Sequence, residues 1–255
     1  MKALVVGGSN GIGLSIVLNL LERDEYSVIY VLDKSPFPSA YTHEKIHYIS
    51  IDLLNDWSLK DKEIDIENID ALYITAGFGQ LEYFQNLSAE YIQNSFSVNT
   101  ISPILILKQF YNQLLGNKPF YCAVMVSIAG RLNSPLFSIY SATKAALSKC
   151  IEALNTELEV QGSHNRILEV SPGSLKGTSF TGGITNPKEN MGLAQKIIRL
   201  ANDHETLFIP QYDEVFKQVI ERYHADAHAF GVESYSYKKA RKIKNNGENF
   251  KYYDS

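Results

Sequence analysis

Short apolar segments rich in β-branched residues alternate along this chain with longer segments of helical periodicity. This alternation is typical of βαβ units, in which buried, mostly parallel strands are joined by helices. Right-handed crossovers between successive strands place those helices on both faces of the sheet. The pattern therefore predicts an α/β fold with one doubly wound, seven-stranded, mainly parallel sheet. We expect strands at residues 2–6, 27–32, 46–51, 71–75, 121–127, 166–171 and 207–209, and helices at residues 11–23, 89–115, 139–161, 187–202 and 213–230.

The composition of the 255 residues excludes several other classes of protein. A content of 45% hydrophobic and 20% charged residues supports a sizeable core and rules out wholesale disorder. Two cysteines, Cys122 and Cys150, are too few for a disulfide scaffold, and we expect them to be free thiols in a reducing compartment. The net charge of −4 argues against a general nucleic-acid-binding protein, whose affinity depends on neutralising phosphates.

No segment approaches the roughly 18 uninterrupted apolar residues of a membrane span. The first apolar run, at residues 3–6, ends at Gly7 and is too short for an export signal. We therefore expect a cytoplasmic, soluble protein that has neither a membrane nor a nucleic acid as a partner.

A glycine-rich turn joins the first predicted strand to the first predicted helix. Gly7 permits the tight turn, Gly11 lets the backbone approach a pyrophosphate, and Gly13 allows close packing of the helix on the strand. The helix N-terminus adds N–H donors and a positive dipole end. The turn predicts a Rossmann-like, dinucleotide-binding site, and a plain strand-to-helix turn is the alternative. Its other candidate cofactor contacts are Ser9, Asn10 and Ile12.

Carboxylates follow the second and third predicted strands. Asp33 can accept hydrogen bonds from the adenosine ribose hydroxyls and would repel a 2′-phosphate, which favours NAD over NADP. Lys34 could contact that phosphate instead, so NADP stays possible as the cofactor. Asp52, beside Leu53, could bond the adenine amino group or could cap a helix.

A tyrosine and a lysine share one face of the helix predicted at 139–161. Tyr140 and Lys144 are four residues apart on it. A tyrosine, with an ordinary pKa of about 10, is a poor base at neutral pH, but a nearby ammonium favours the phenolate and lowers that pKa. Such a pair can move a proton to or from a hydroxyl or carbonyl oxygen, to which Ser127 could donate a hydrogen bond. For an isolated pair, an exposed helix face without a role is the alternative.

Together these motifs resemble the short-chain dehydrogenase/reductase family over residues 1–210. The resemblance implies that Ser127, Tyr140 and Lys144 are catalytic residues and adds Asn99 as a fourth. Further cofactor contacts that the resemblance implies are Ala76, Gly77, Pro172, Gly173 and Thr178, together with Tyr140 and Lys144.

Two places depart from the family pattern. Val6 stands where the family usually has threonine before the first glycine, and Ile74-Thr75 stand where it usually has two asparagines before Ala-Gly. The missing groups normally tie the central strands together or line the adenosine side. We expect the local hydrogen bonding to change and the chemistry to stay, with Thr75 replacing part of the lost bonds.

The resemblance implies an NAD(P)-dependent oxidoreductase that transfers a hydride between C4 of nicotinamide and a carbinol or carbonyl carbon. By resemblance, Tyr140 exchanges the proton, Lys144 lowers the tyrosine pKa and holds the nicotinamide ribose, Ser127 fixes the substrate oxygen, and Asn99 supports a water-mediated proton relay. The family also implies a homodimer or homotetramer. The alternative is a catalytically idle nucleotide-sensing or scaffold protein with the same fold, although such a protein is expected to lose the tyrosine or the lysine.

Substrate choice in the family usually depends on the segment that follows the Pro-Gly pair. Here residues 174–186 offer hydroxyls and glycines but few apolar walls, Phe180 among them. A small, polar substrate such as a sugar derivative therefore fits better than a steroid or a long acyl chain, and a cover without a specificity role is the alternative. No metal is expected, because His224 and His228 lack a third ligand at suitable spacing.

The chain after the last predicted strand differs in composition from the rest. Residues 213–230 have an amphipathic helical pattern, for which Gly231 is a reasonable stop signal. Residues 238–244 hold five cations in seven positions, and aromatic residues interleave with these cations. We therefore divide the chain into a nucleotide-binding catalytic domain at 1–210 and a C-terminal helix and tail at 211–255. The composition favours a tail that docks on the acidic body of its own or a neighbouring subunit over a nucleic-acid arm.

Overall fold

Seven strands form one parallel sheet in a computed structural model of the protein that describes residues 1–60, 62–178, 180 and 185–245. The strands are β1 (Lys2–Val6), β2 (Val28–Asp33), β3 (Ile46–Ser50), β4 (Ala71–Ile74), β5 (Tyr121–Met125), β6 (Ile167–Val170) and β7 (Leu207–Phe208). Their order is β3-β2-β1-β4-β5-β6-β7, and each neighbouring pair is parallel. The predicted Rossmann-like, doubly wound α/β fold is confirmed, with strand bounds close to those expected.

Helices connect the strands and cover both faces of the sheet. They are α1 (Gly11–Leu21), α2 (Ala89–Phe96), α3 (Ser102–Gln109), α4 (Tyr111–Leu115), α5 (Ser138–Val160), α6 (Met191–Asn202), α7 (Lys217–Ala225) and α8 (Ala227–Asn245), with π-helical turns at Ser97–Ile101 and Tyr212–Phe216. Helices α1 and α6 pack on one face, and α3 and α5 pack on the other. Among the helices of the described ranges, none is long and apolar enough to cross a membrane.

The core consists of two apolar layers, one on each side of the sheet. Because successive side chains of a strand point to opposite faces, Ala3 and Val5 of β1 lie in the layer with α1 and α6, whereas Leu4 and Val6 lie in the layer with α3 and α5. A strand that is buried on both faces needs an unbroken apolar sequence. This requirement explains why the central strands lack the alternation of polar and apolar residues.

The carboxyl ends of the strands meet at one edge of the sheet. The chain runs outward from β1 to β3 on one side and then crosses to β4 on the other, so a crevice opens at the point where the order reverses. Residues that follow these strands arrive at the same edge, among them Gly7, Asp33, Thr75, Ser127 and Pro172. This edge therefore brings together the residues that the motifs singled out.

The prediction of a single helix at 89–115 is wrong. Helix α2 ends at Phe96, and the wide turn Ser97–Ile101 separates it from α3. Pro103 has no N–H and cannot donate the α-helical hydrogen bond to the carbonyl of Asn99, four residues earlier. The helix is therefore interrupted at the predicted catalytic asparagine, as π-helical turns often are at functional sites.

The prediction of a single helix at 213–230, with Gly231 as its stop signal, is also wrong. The backbone is extended at Asp226, with φ −154° and ψ 93°, and this residue separates α7 from α8. Gly231 lies inside α8, where a Cβ atom would stand 2.2 Å from Asn133 Nδ2. The glycine thus allows close approach of α8 to the loop at Asn133, and it does not end a helix. The rest of the expected tail, 246–255, lies outside the described residues.

Candidate active site

The glycine-rich turn after β1 has the geometry of a phosphate cradle. Gly7 and Gly11 have positive φ angles of 86° and 51°, which favour glycine. A Cβ atom on Gly13 would stand 2.1 Å from the carbonyl oxygen of Gly7, so α1 can approach the turn only with glycine at this position. Ser9 Oγ is buried and has no hydrogen-bond partner among the described residues. An unpartnered buried hydroxyl beside a helix N-terminus fits a ligand with phosphate oxygens. Asn10 and Ile12 lie in the same turn, at the start of α1.

Asp33, at the end of β2, lies directly beside this turn. Its Oδ2 accepts a hydrogen bond from the Ser9 N–H at 3.0 Å, and its Oδ1 accepts one from the Ser35 N–H at 2.9 Å. These two bonds fix the carboxylate at the rim of the cradle while each oxygen keeps a second lone pair. Lys34 next to it is exposed.

Asp52 does not cap a helix. Its Oδ1 accepts a hydrogen bond from the Leu54 N–H at 3.0 Å and thereby closes a turn after β3. Leu53 is buried, and its carbonyl accepts a hydrogen bond from Ser102 Oγ at 2.8 Å. The structure therefore places Asp52 in an exposed turn, with Leu53 anchoring that turn in the core.

Thr75 makes bonds that tie β4 to the end of β1. Its Oγ1 lies 3.0 Å from the carbonyl oxygens of both Val6 and Gly7. The backbone N–H groups of Thr75 and Ala76 also donate to the Val6 carbonyl, at 2.8 and 3.1 Å. Thr75 therefore connects the two central strands where the departures from the family pattern occur, as the sequence predicted. Gly77 follows, and a Cβ atom there would stand 3.2 Å from both Asn99 Oδ1 and Lys144 Nζ.

Asn99 is fully buried and holds the loop that follows β4. Its Oδ1 accepts a hydrogen bond from the Phe78 N–H at 2.9 Å, and its Nδ2 donates to the Phe78 carbonyl at 2.8 Å. Nδ2 also lies 3.2 Å from Thr143 Oγ1 on α5. The asparagine side chain thus fixes the distance between the β4 loop and the helix that carries Tyr140 and Lys144.

Tyr140 is 7% exposed, and the Ser127 side chain lies near enough to its hydroxyl to influence its pKa. Burial raises the pKa of Tyr140 to about 12, and Ser127 acts in the opposite direction. We expected a lowered tyrosine pKa from the neighbouring lysine, but desolvation, which disfavours the phenolate, dominates here. In this structure the phenol is therefore neutral at physiological pH.

Lys144 is 2% exposed and lies one helical turn from Tyr140. Its Nζ donates a hydrogen bond to the Met125 carbonyl at 2.9 Å and stands 5.9 Å from the centre of the Tyr140 ring. Burial lowers the pKa of Lys144 to about 8, because the apolar surroundings penalise the ammonium. The lysine and the tyrosine thus lie close together, and burial shifts both of them toward their uncharged forms.

The segment after β6 connects the two halves of the site. The Pro172 carbonyl accepts hydrogen bonds from the Ile128 N–H at 3.0 Å and from Ser127 Oγ at 3.4 Å. Further along, Thr178 is 8% exposed and faces the glycine-rich turn, with its Cβ 3.4 Å from where a Cβ of Gly11 would lie. The segment therefore reaches from the serine–tyrosine pair to the phosphate cradle.

A buried carboxylate that the motifs did not indicate supports the Ser127 turn. Glu169 on β6 is 3% exposed, and its Oε1 accepts hydrogen bonds from Arg131 Nη2 at 2.6 Å and from Ser171 Oγ at 2.7 Å. Its Oε2 accepts a bond from Ser148 Oγ on α5 at 2.8 Å. This carboxylate links β6, α5 and the turn after Ser127, and only its odd position in an apolar strand sequence could have signalled it.

Aromatic rings enclose Tyr140, and the sequence indicated only one of them. The ring centres of Phe137 and Phe180 lie 4.7 and 5.0 Å from that of Tyr140. A third ring, that of Phe216, lies against the backbone of Gly173. Phe137 precedes Tyr140 by nearly one helical turn, which is a usable signal, whereas no local pattern places Phe216 there. The hydroxyl-bearing part of the expected substrate cover, at 179 and 181–184, lies outside the described residues.

A parallel sheet of this strand order, with a glycine-rich turn where the order reverses, defines a Rossmann-fold dinucleotide-binding protein. The family model for short chain dehydrogenases matches residues 1–189. The chain belongs to this family, the short-chain dehydrogenases/reductases, and is an oxidoreductase.

Two curated relatives are similar over about the same share of the chain. A probable short-chain type dehydrogenase/reductase of Helicobacter pylori is 30% identical over 179 residues, which cover 68% of this chain and 65% of that protein. An uncharacterized oxidoreductase of Schizosaccharomyces pombe is 26% identical over 191 residues, which cover 69% of this chain and 74% of that protein.

Solved structures share the fold at lower identity. A short-chain dehydrogenase from Streptomyces avermitilis has a TM-score of 0.71 at 21% identity, covering 97% of this chain and 99% of its own. A short chain dehydrogenase from Burkholderia cenocepacia, in complex with NADP, has a TM-score of 0.72 at 18% identity, with 91% and 96% coverage. A 4-hydroxyisoleucine dehydrogenase complexed with NADH and succinate has a TM-score of 0.61 at 19% identity, with 81% and 96% coverage.

Proposed function

We propose that the protein transfers a hydride between a nicotinamide dinucleotide and a small alcohol or ketone, with Tyr140 as the general acid–base. The observation that carries this proposal is the proximity of Tyr140 to Ser127, with Lys144 one turn away, at the same sheet edge as the glycine-rich cradle. Proton transfer by a positioned side chain typically contributes 10²–10⁴-fold to the rate.

The residues at the cradle fit a dinucleotide. Gly7, Gly11 and Gly13 leave the backbone open to a pyrophosphate, Ser9 Oγ offers an unpartnered donor, and Asp33 stands at the rim for ribose hydroxyls. Structural neighbours hold NADP or NADH, which supports a nicotinamide cofactor for this chain. When bound, the nicotinamide ring supplies or accepts the hydride.

The protein's own groups handle the proton and the substrate oxygen. In carbonyl reduction, the neutral Tyr140 phenol donates its proton to the substrate oxygen, which Ser127 holds by a hydrogen bond. In alcohol oxidation, the phenolate accepts the proton, and the Lys144 ammonium stabilises that phenolate across the short distance between the two side chains. Asn99 keeps the β4 loop in register with α5, and we expect its carbonyl, which cannot accept an α-helical hydrogen bond from Pro103, to bind a water of the proton relay.

We propose NAD as the preferred cofactor, because the Asp33 carboxylate at the rim of the cradle would repel the 2′-phosphate of NADP. Replacing Asp33→Ser removes this repulsion, and we expect the ratio of kcat/KM for NADPH to that for NADH to rise by at least about tenfold. Asp52→Ser, in an exposed turn, is the matched control and should leave the ratio unchanged. A wild-type preference for NADPH would contradict this assignment.

The proposed activity is tested by a panel of small alcohols, ketones and sugar derivatives, read at the nicotinamide absorbance with NAD(H) and NADP(H). Small polar substrates, such as sugar derivatives, are included in the panel because residues 174–186, part of which lie outside the described residues, bear hydroxyls. We expect turnover of at least one carbonyl or carbinol substrate. A protein that binds NADH tightly and turns over none of the panel would favour a nucleotide-sensing role instead.

We also propose a homodimer or homotetramer that associates through the helices at 97–115 and 138–160. Ile101 is 48% exposed and Val160 is 83% exposed on these elements, so each offers an apolar side chain for such a contact. Sedimentation of the wild type should give a species larger than one chain, and Ile101→Arg should shift it toward the monomer. A monomeric wild type would contradict this proposal.

A further inference from the structure

We infer that α7 and α8, with the turn before them, form one wall of the substrate site, and that Phe216 selects substrates with an apolar substituent at the reacting carbon. This inference rests on the proposed function and deepens it. It concerns the part of the chain beyond the 1–189 match to the family model.

The path of the chain explains why Phe216 reaches the site. Strand β7 is parallel to the other strands, so residues that follow it emerge at the carboxyl edge, where the site lies. Gln211 then adopts a left-handed conformation, with φ 58°, and its carbonyl accepts hydrogen bonds from the N–H groups of Val215 and Phe216. The chain therefore reverses in one tight turn and directs the Phe216 ring back toward the sheet edge.

The Phe216 ring lies directly on the backbone of Gly173. A Cβ atom at Gly173 would stand 2.5 Å from the ring Cζ, so this contact requires glycine. Gly173 follows Pro172, whose carbonyl accepts the hydrogen bond from Ser127 Oγ. The ring is thus separated from the Ser127–Tyr140 pair by a single backbone segment.

The other walls near Tyr140 are also aromatic. Phe137 and Phe180 pack on the Tyr140 ring and meet each other edge to face at 6.2 Å. Lys144 Nζ lies 5.9 Å from the centre of the Tyr140 ring and is already bonded to a backbone carbonyl. A charged or strongly polar substituent would lose its hydration here without a partner in return, whereas an apolar substituent would gain contacts with the rings.

The C-terminal wall is anchored at its far end. Lys242 Nζ on α8 donates hydrogen bonds to Glu82 Oε2 at 2.6 Å and to the Leu81 carbonyl at 3.2 Å, and lies 5.6 Å from the centre of the Tyr83 ring. The Lys242 and Glu82 side chains are only 18% and 16% exposed, and the lysine holds the pKa of the Glu82 carboxyl below its ordinary value. A shielded pair with these additional bonds is a stronger contact than an exposed surface ion pair.

Glu82 connects this anchor to the tyrosine. Its N–H donates a hydrogen bond to the Leu136 carbonyl at 2.8 Å, and Leu136 directly precedes Phe137, which packs on Tyr140. Leu136 has a φ of 61°, an unusual conformation for a leucine that the surrounding contacts must hold in place. The docking of α8 therefore helps to fix the aromatic wall beside the reacting hydroxyl.

Three further contacts hold these helices in place. One joins α8 to the loop at Asn133, and two join α7 to α8. Asn133 Nδ2 donates a hydrogen bond to the Ala227 carbonyl at 3.2 Å, beside the close approach at Gly231. Helices α7 and α8 are joined to each other by an ion pair and an aromatic contact. These contacts are Arg222–Glu233 and Tyr223–Phe230.

The selectivity is tested with Phe216→Ala and a series of methyl ketones in which the second substituent is methyl, butyl, phenyl or a hydroxymethyl group. We expect Phe216→Ala to lower kcat/KM for the butyl and phenyl ketones by about tenfold or more, mainly through KM. The hydroxymethyl ketone and the KM for the cofactor should change less than about twofold. Val215→Ala, at an exposed neighbouring position, is the matched control. Equal changes for all four ketones, or no change, would overturn the inference.

Docking of the wall is measured without activity, by hydrogen–deuterium exchange of the full-length chain. Lys242→Ala should speed exchange in the peptides that cover 78–84 and 227–240, whereas Lys239→Ala, an exposed lysine on the same helix, should not. Unchanged exchange in Lys242→Ala would overturn the inference that α8 is docked as a wall of the site. If the wild type turns over no substrate of this series or of the wider panel, the proposed function fails, and the exchange experiment still decides whether α8 is docked over the site.

Discussion

At the scale of single residues, burial has the largest effect on the proposed acid–base pair. Tyr140 and Lys144 are both nearly inaccessible, and desolvation moves their pKa values in opposite directions, to about 12 and about 8. The neutral phenol and a lysine that ionises near physiological pH follow from the same apolar surroundings. The sequence indicated the pair and its spacing, but it could not indicate how deeply the rings of Phe137 and Phe180 bury it.

The lowered pKa of Lys144 has a consequence for stability. The pKa is about 8 in the folded protein and 10.5 in the ordinary reference state, so folding carries a penalty wherever the lysine is protonated. That penalty disappears as the pH rises from about 8 to about 10.5. We therefore expect the free energy of unfolding of the wild type to rise by about 1–3 kcal/mol relative to Lys144→Met over this window.

Urea unfolding of both proteins at pH 7.5 and pH 10 measures this difference. Lys149→Met on the same helix is the control, because the Lys149 side chain is 77% exposed. Its difference from the wild type should not change between the two pH values. A constant difference for Lys144→Met would mean that the ammonium is well solvated in the folded state.

At the scale of elements, the strand-to-helix turn of β1 and α1 and the interrupted helix at Asn99 define the site. The turn could be predicted, because glycines at these offsets between a strand and a helix are typical of a dinucleotide-binding turn. The interruption could not be predicted from periodicity, since apolar residues continue through it. Pro103 was the available signal, because its missing N–H leaves the Asn99 carbonyl without a donor.

The glycine turn makes a prediction about cofactor binding. In Gly13→Ala the new methyl group would meet the carbonyl oxygen of Gly7, so α1 must move away from the turn. We expect NADH to bind at least about tenfold more weakly and the protein to lose about 1–3 kcal/mol of stability. Titration of nicotinamide fluorescence and thermal unfolding measure the two effects.

Gly192→Ala provides the control for this substitution. Gly192 lies in α6, and a Cβ atom there would meet nothing within 4 Å. This variant should bind NADH as the wild type does and should gain up to about 1 kcal/mol, because alanine is the better helix former. Normal NADH binding by Gly13→Ala would contradict the assignment of the glycine-rich turn as the phosphate cradle for the cofactor.

At the scale of the whole molecule, the parallel sheet gathers residues from distant parts of the sequence. Ser127, Asp33 and Gly7 are far apart in the chain, but each follows a parallel strand, and the strand order brings them to one edge. The fold class, strand positions and motif residues were therefore predictable from pattern alone. Contacts that depend on side-chain geometry across elements, such as Glu169 with Arg131 or Phe216 with Gly173, were not.

In the C-terminal part, too, the contacts between elements could not be predicted from the sequence pattern. Its basic, aromatic composition suggested a docked tail, and the contacts of Lys242 and Asn133 place α8 on the loops of its own chain. The predicted helix end at Gly231 was wrong, because a glycine at a close approach looks the same in sequence as a glycine that ends a helix. The division of the chain into 1–210 and 211–255 stays a prediction.

The central claim is that Tyr140 transfers the proton in a nicotinamide-dependent reaction, and Tyr140→Phe tests it most directly. The substitution removes only the hydroxyl and keeps the ring between Phe137 and Phe180. With a substrate from the panel, we expect turnover to fall by at least about 10²–10⁴-fold while the Kd for NADH changes less than about threefold. Tyr111→Phe, at a hydroxyl bonded only to Gln161 among the described contacts, should keep full activity. Undiminished turnover by Tyr140→Phe would contradict this claim.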